Sequence, residues 1–286
     1  MKLIAIDLDG TLLSDKGTIS MKNREMIRLV QDQGHVVSIA SGRSLHDTIE
    51  ILKDAEIQCP IIAGNGAIVY QKGEILQNLY LPAEIIKEMM DMLEEMGLYF
   101  ELYTNQGVYI EEKGRDILTK EARRIHEKND DFPREKAKHM IDLQFQQKGF
   151  VSVKEYRTLD YAPLEIYKVF VLSFDHEKLS KLSNLLQHRK DISLTTSGKE
   201  KLEIGNPGTS KGNALQFLAN HLTIPLENTV AIGDNVNDLS MFHAAGTSIA
   251  MENAEETVKK QAAYVTKRYD EDGVAYGLER YIAIGL

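Results

Sequence analysis

Aspartates dominate the residues of this chain that could do chemistry. Asp7 and Asp9 stand two apart, with Gly10 and Thr11 behind them, directly after the apolar run 3–6. Ser41, Gly42 and Arg43 follow the apolar run 36–40, and Gly64, Asn65 and Gly66 follow 60–63. Gly233, Asp234, Asn237 and Asp238 follow the run 230–232, and Lys211 opens a helical pattern ahead of it. Carboxylates gathered at one place repel one another. A hard divalent cation with oxygen ligands answers that repulsion, and a partly hydrated site of this kind suits Mg2+. With Mg2+ and Lys211 present, the pocket becomes positive enough for a phosphoryl group, whose oxygens Ser41 and the Gly-supported amides can meet with hydrogen bonds. A strand-end carboxylate such as Asp7 can attack phosphorus and become an aspartyl phosphate. A neighbouring carboxyl group can then protonate the leaving oxygen and later deprotonate water, which the spacing of Asp7 and Asp9 accommodates.

Each signal has an ordinary reading as well. Asp9-Gly10 alone is a turn, Asp234 and Asp238 suit helix capping, and Asn65 between two glycines suits a left-handed turn. Lys211 fits a purely structural role poorly, because a cation at a helix N-terminus opposes the macrodipole. Their joint placement at successive strand ends is what points to a site.

The surrounding pattern supplies such strand ends. Apolar runs at 3–6, 36–40 and 60–63 read as strands buried on both faces. Between them lie a helix capped by Ser20, with Met26, Ile27 and Val30 on one face, and a helix carrying Leu45, Ile49 and Leu52. The rhythm returns after Lys211, with a helix bearing Ala214, Leu215 and Leu218 and strands at 230–232, 247–250 and 264–266. Asn253 with Glu256 reads as a capping-box start to a helix through Ala262, and a closing helix is expected to reach the C-terminus. Strand–helix alternation of this kind predicts an α/β doubly wound parallel sheet, whose ligand site lies beyond the carboxyl ends of the strands.

The middle of the chain differs. A helix with Ile85, Ile86, Met89, Leu93 and Met96 precedes a hairpin of 98–103 and 107–111, a charged helix, a polar stretch, a strand at 167–174 and a helix around 179–186. The methionines at helical spacing read as core. This pattern predicts an inserted α+β unit over 82–189, with 1–81 and 190–286 forming the Rossmann-like sheet domain.

Composition bounds the function. The chain has 286 residues, 43% hydrophobic and 27% charged, with a formal net charge of −9. That excludes a disordered or collagen-like protein and disfavours nucleic acid as a partner, since an acidic chain repels phosphate backbones. Cys59 is the single cysteine, so an intrachain disulfide is ruled out and a reducing compartment is expected. No apolar run approaches the ~18 residues that span a bilayer, and the run before Asp7 is too short for a signal peptide's core. A cytoplasmic protein with no membrane partner is expected.

Asp7-Leu8-Asp9-Gly10-Thr11-Leu12, Ala40-Ser41-Gly42-Arg43, Lys211-Gly212 and Gly233-Asp234-Asn235-Val236-Asn237-Asp238 together resemble the four motifs of the haloacid dehalogenase-like superfamily. The large insertion and the segment Asp270-Glu271-Asp272-Gly273-Val274-Ala275 resemble its Cof-type phosphatases. The resemblance implies a Rossmann-like core with an α+β cap domain that closes over the site. It makes Asp7 the nucleophile and a Mg2+ ligand, Asp9 the general acid/base and a ligand through its carbonyl, and Asp234 the third ligand. Leu8 (by its amide), Ser41, Gly42, Lys211 and Asn237 would hold phosphate. Asp238 would orient Lys211 or a metal-bound water, with Thr11 and Arg43 in support. Dehalogenases lack the second aspartate, so Asp9 favours a phosphatase.

A Mg2+-dependent phosphatase of small phosphorylated metabolites, sugar or nucleotide/cofactor phosphates, is therefore expected. The alternatives are a phosphomutase using the same aspartyl phosphate and a non-hydrolytic phosphoacceptor module. Leaving-group contacts are expected from the middle unit, with Glu101, Tyr103, Tyr109 and Lys168 as candidates.

Overall fold

A computed structural model describes residues 1–161 and 163–282. The chain divides into two compact units, one built from Met1–Asn78 and the chain from Gly208 onward, the other from Leu79–Pro207. The first begins with β1 (Leu3–Ile6), α1 (Met21–Asp32), β2 (Val36–Ala40), α2 (Leu45–Asp54) and β3 (Ile61–Ala63), followed by β4 (Ile68–Gln71) and β5 (Glu74–Asn78). The second holds α3 (Ala83–Glu95), β6 (Tyr99–Thr104), β7 (Gly107–Glu111), α4 (Gly114–Lys128), α5 (Arg134–Gln144), β8 (Phe150–Val153), β9 (Lys168–Leu172), α6 (His176–Leu186), β10 (Ser193–Thr195) and β11 (Lys201–Gly205). The chain then returns to the first unit as α7 (Lys211–His221), β12 (Thr229–Gly233), α8 (Leu239–Ala244), β13 (Thr247–Ala250), α9 (Glu256–Lys259), β14 (Tyr264–Val265) and α10 (Gly273–Ile282). The expected run of the last helix to the C-terminus falls outside the described residues beyond Ile282.

In the first unit the strand order is β14-β13-β12-β1-β2-β3-β4-β5, parallel from β14 through β3. The expected doubly wound sheet is therefore present. Leu3 and Ala5 of β1 pack with Ala214, Leu215 and Leu218 of α7 and with Met241 and Phe242 of α8. Ile4 and Ile6 point to the opposite face by strand alternation and are equally buried, which is why β1 reads as an unbroken apolar run. Ser20 caps α1 by accepting from the Asn23 amide, and Asn23 Oδ1 in turn accepts from the Ala275 amide, tying α1 to α10. Strand succession runs outward from β1 through β2 to β3, and on the other side from β12 through β13 to β14. The order reverses between β1 and β12, so a crevice opens there at the carboxyl ends.

Two features differ from expectation in this unit. Residues 68–78, without an assigned element in the sequence, form a hairpin that adds two antiparallel strands beside β3. Its turn places Lys72 and Gly73 at positive φ, the backbone of a tight hairpin connection. The helix expected from Asn253 through Ala262 is only the short α9, and Asn253 is not its cap.

The second unit is α+β, with a sheet ordered β10-β11-β9-β6-β7-β8. Its pairs are antiparallel except β7 with β8. Phe100, Leu102, Val169, Val171, Leu202 and Ile204 cover one face and pack with Met89 and Met90 of α3 and Leu179 and Leu182 of α6. The methionines are core, as their spacing implies. The expected polar stretch after α4 contains α5 and β8. The boundary expected between 189 and 190 falls inside this unit, because β10 and β11 hydrogen-bond into its sheet, and the unit runs to Pro207.

Candidate active site

Asp7 directly follows β1 and its amide donates to the Ile232 carbonyl of β12 at 2.9 Å, which locks the two strand ends together at the point where the sheet order reverses. Lys211 is the first residue of α7, whose cap Ser210 accepts from the Asn213 amide. Gly212 allows α7 to lie against α8: a Cβ there would come within 2.2 Å of the Ser240 carbonyl. This close approach aims the buried Lys211 ammonium between two carboxylates, 2.6 Å from Asp7 Oδ1 and 2.6 Å from Asp238 Oδ1. Asp238 spends its other oxygen on the Asp234 and Asn235 amides, at 2.9 and 3.0 Å. Burial alone would lower the Lys211 pKa, but the Asp238 and Asp7 charges more than reverse that and hold the ammonium protonated.

The turn after β1 carries the second aspartate. Gly10 sits at φ 77, and a Cβ on it would stand 2.4 Å from Asp234 Oδ2, so glycine is required on both counts. Thr11 donates its hydroxyl to Asp234 Oδ1 at 3.0 Å, and Asn253 Nδ2 donates to the Gly10 carbonyl at 2.8 Å. The turn after β1 and the turn after β12 are thereby tied together. Burial raises the Asp7 carboxyl well above the usual range, and repulsion from Asp238 and Asp234 adds to this against the pull of Lys211. Asp234 is raised too, by burial first and by Asp238 next.

On the β2 side, the buried Ser41 accepts the Arg43 amide at 3.1 Å on its Oγ, and its carbonyl accepts the Asn65 amide at 3.0 Å. Asn65 is at φ 59, the left-handed conformation expected of it, and its Oδ1 accepts from Asn237 Nδ2 at 3.1 Å. The ends of β2 and β3 are joined by that backbone hydrogen bond, and the ends of β3 and β12 by the Asn65 and Asn237 side chains.

A family model described as haloacid dehalogenase-like hydrolase matches residues 4–278. The chain belongs to the haloacid dehalogenase-like hydrolase family. The 5-amino-6-(5-phospho-D-ribitylamino)uracil phosphatase YwtE of Bacillus subtilis (strain 168) is 37% identical over 284 residues, covering 99% of this chain and 99% of that one. Phosphatase YwpJ of the same strain is 34% identical over 285 residues, covering 99% of this chain and all of the other. The solved structure of a haloacid dehalogenase-like hydrolase from B. subtilis matches with a TM-score of 0.87 at 34% identity, over 98% of this chain and 100% of that one. This haloacid dehalogenase-like hydrolase is a phosphoric monoester hydrolase, and phosphatases of the family generally use Mg2+.

The donor set of this haloacid dehalogenase-like hydrolase fits such a cation. Carboxylate oxygens of Asp7, Asp234 and Asp238 lie within 4.8 Å of one another, all hard oxygen donors, and two of the three groups are raised in pKa by burial first and by their mutual repulsion next. Asp238 is already committed to Lys211 and two amides, which leaves Asp7 and Asp234 as the side chains that could hold a cation.

The expected residues do not all converge. Asp7, Lys211 and Asp238 form a buried cluster that the half-buried Asp234 adjoins, with the buried Thr11 beside it and Leu8, itself buried, at the start of the turn. Ser41, Gly42 and Asn237 stand at the neighbouring strand ends. Asp9 instead turns its carboxylate to Arg43, which donates from Nε and Nη2 at 2.8 and 2.7 Å. Two residues lacking any assignment in the sequence reading of the site belong to this framework. Asp47 accepts from Arg43 Nη1 at 2.6 Å, and its position four residues after Arg43 is the available signal. Asn253 joins Gly10 to the Asp234 turn, and nothing in its local sequence distinguishes that from a helix cap.

Of the leaving-group candidates, Glu101, Tyr103 and Lys168 share one face of the second unit's sheet and are buried. Lys168 Nζ stands 2.7 Å from Glu203 Oε2 and 3.9 Å from the Tyr103 ring centroid. Glu101 accepts from the Tyr99 hydroxyl at 2.6 Å and from Gln144 Nε2 at 2.9 Å. Tyr109 pairs with Leu102 and packs on the opposite, apolar face, so it does not join them.

Proposed function

We propose that this chain hydrolyses small phosphorylated metabolites through a phosphoaspartate on Asp7. The observation that carries the reading is the buried Lys211 ammonium, 2.6 Å from Asp7 and 2.6 Å from Asp238, at the switch point of a parallel sheet. A carboxylate oxygen of Asp7 attacks phosphorus and the ester P–O bond breaks, with the Asp9 carboxyl delivering a proton to the departing oxygen. The Asp9 carboxylate then takes a proton from water, whose oxygen displaces the Asp7 carboxylate from phosphorus and releases inorganic phosphate. Lys211 fixes the direction of Asp7 and, with the Ser41 hydroxyl, the Leu8 and Gly42 amides and an N–H of Asn237, meets the negative phosphoryl oxygens.

Asp7, the Asp9 carbonyl and Asp234 are the groups that would hold Mg2+, whose charge offsets the acidic cluster and favours an electron-rich phosphoryl group. Thr11 and Asn253 keep Asp234 and the Asp9–Gly10 turn in register for this.

The relative named for 5-amino-6-(5-phospho-D-ribitylamino)uracil supplies the first compound to test. Phosphate release should be measured over that compound and a panel of sugar and cofactor monophosphates. Turnover of at least one, abolished in Asp7→Asn, is the expected result. Undiminished release by Asp7→Asn, or isomerised sugar phosphate in place of free phosphate, would contradict the reading.

A further inference from the structure

Asp9 lies on the turn after β1 with its side chain 58% exposed, a setting in which an aspartate has several rotamers open to it. One arginine removes that freedom. Arg43 Nε meets Asp9 Oδ2 and Nη2 meets Asp9 Oδ1, a two-point fork at 2.8 and 2.7 Å that fixes the plane of the carboxylate as well as its position. The guanidinium is itself held from behind, because its Nη1 donates to Asp47 Oδ2 at 2.6 Å. The Asp47 side chain is 3% exposed and its amide donates to Ser44 Oγ at the N-cap of α2, so the brace is rooted in a rigid helix end. A carboxylate this buried is costly without a cation beside it, and Arg43 is that cation.

We propose that Arg43, braced by Asp47, is a positioning residue for Asp9. The inference rests on the proposed acid/base role of Asp9 and adds to it the group that aims that carboxyl. When an ester oxygen arrives, one arm of the fork yields to it while the other arm and the Asp47 contact keep Asp9 in place. Arg43 acts through Asp9 and not by binding phosphate. Lysine cannot take its place, since an ammonium on a flexible stem does not span two carboxylates in one plane.

The test is a kinetic cycle on the Mg2+-loaded protein with p-nitrophenyl phosphate as probe, measuring kcat and KM for Asp9→Asn, Arg43→Ala, Arg43→Lys and the Asp9→Asn/Arg43→Ala double variant. Asp9→Asn is expected to lower kcat by ~100-fold or more, the scale of a lost general acid/base, and Arg43→Ala by at least ~10-fold. KM should not rise in either, since ground-state binding is untouched and slower hydrolysis of the intermediate can only lower it. Arg43→Lys should recover little of the loss, and the double variant should be no slower than Asp9→Asn alone. If Arg43→Ala fails to fold, judged by circular dichroism and thermal melting, Arg43→Gln carries the same comparison.

A rise in KM with kcat preserved would assign Arg43 to substrate phosphate and overturn the proposal. A full further loss in the double variant would show that Arg43 acts independently of Asp9, with the same consequence. Wild-type kcat in Arg43→Ala beside a slow Asp9→Asn would remove this inference alone. Wild-type kcat in Asp9→Asn would remove the acid/base assignment and this inference with it.

Discussion

Lys211 donates to Asp238 Oδ1 at 2.6 Å with both side chains withdrawn from solvent, and this pair organises the site from the rear. Asp238 is held by the Asp234 and Asn235 amides, Lys211 is held by Asp238, and Asp7 is held by Lys211. Direction passes from the turn after β12 to the carboxylate after β1 without crossing solvent. A buried cation between two carboxylates stabilises the fold only while all members are present.

Lys211→Met is accordingly expected to destabilise the protein by about 3–5 kcal/mol, because two buried carboxylates lose their counter-charge. Adding Asp238→Asn should restore part of that stability without restoring turnover. Urea unfolding of the single and double variants, with phosphate release in parallel, checks this. Recovery of activity in the double variant would show that Lys211 contributes only to folding.

Thr11→Val removes the hydroxyl that fixes Asp234 Oδ1. The Mg2+ concentration for half-maximal activity should rise roughly 10–100-fold, the usual cost of losing a hydrogen bond that orients a metal ligand, with kcat at saturating Mg2+ largely kept. An unchanged Mg2+ requirement would detach Asp234 from metal binding.

Glu101 gives a pH prediction for the second unit. Burial pushes its carboxyl from 4.5 up to about 7, opposed by hydrogen bonds from Tyr99 and Gln144. Between those values the native state holds a proton that the unfolded chain has released, so stability falls as pH rises and levels off above the upper value. The effect is on the order of 3 kcal/mol at full ionisation. Glu101→Gln should remove this slope, gaining on the wild type from pH 5 to 8 in urea unfolding. Parallel pH profiles for the two proteins would contradict the burial of an ionisable group there.

Much of the sheet domain is legible because parallel strands buried on both faces leave unbroken apolar runs, and the residues that follow them fall at one edge. β10 and β11 do not follow that rule. Leu194, Leu202 and Ile204 face the second unit's core while Ser193, Thr195, Lys201 and Glu203 alternate with them, the two-residue period of a sheet with unlike faces. That alternation marks them as members of the second sheet, beyond the expected boundary at 189. α5 hides behind its composition, burying Ala137, Ile141 and Gln144 along an otherwise polar helix. At the site, motif spacing places Asp7, Lys211, Asp234 and Asp238 together, but the rotamer of Asp9 depends on Arg43 across 34 residues of chain. Asn253 likewise reaches Gly10 across the fold, and no local pattern encodes such a contact.

Removal of divalent cations should abolish turnover, and Mg2+ should restore it while raising the melting temperature. The gain in stability should grow with pH, because burial raises the pKa of both Asp7 and Asp234 and a cation competes with the proton on each. Turnover indifferent to a chelator would exclude the metal assignment.

The most direct measurement is acid quenching during turnover of a phosphomonoester, followed by peptide mapping after tritiated borohydride, which reduces an aspartyl phosphate to labelled homoserine as the phosphate departs. Label is expected on the peptide that carries Asp7, in greater amount in Asp9→Asn, where its hydrolysis is slowed, and absent in Asp7→Asn. Phosphate release at the normal rate with no label on Asp7 at any quench time would contradict covalent transfer to this aspartate.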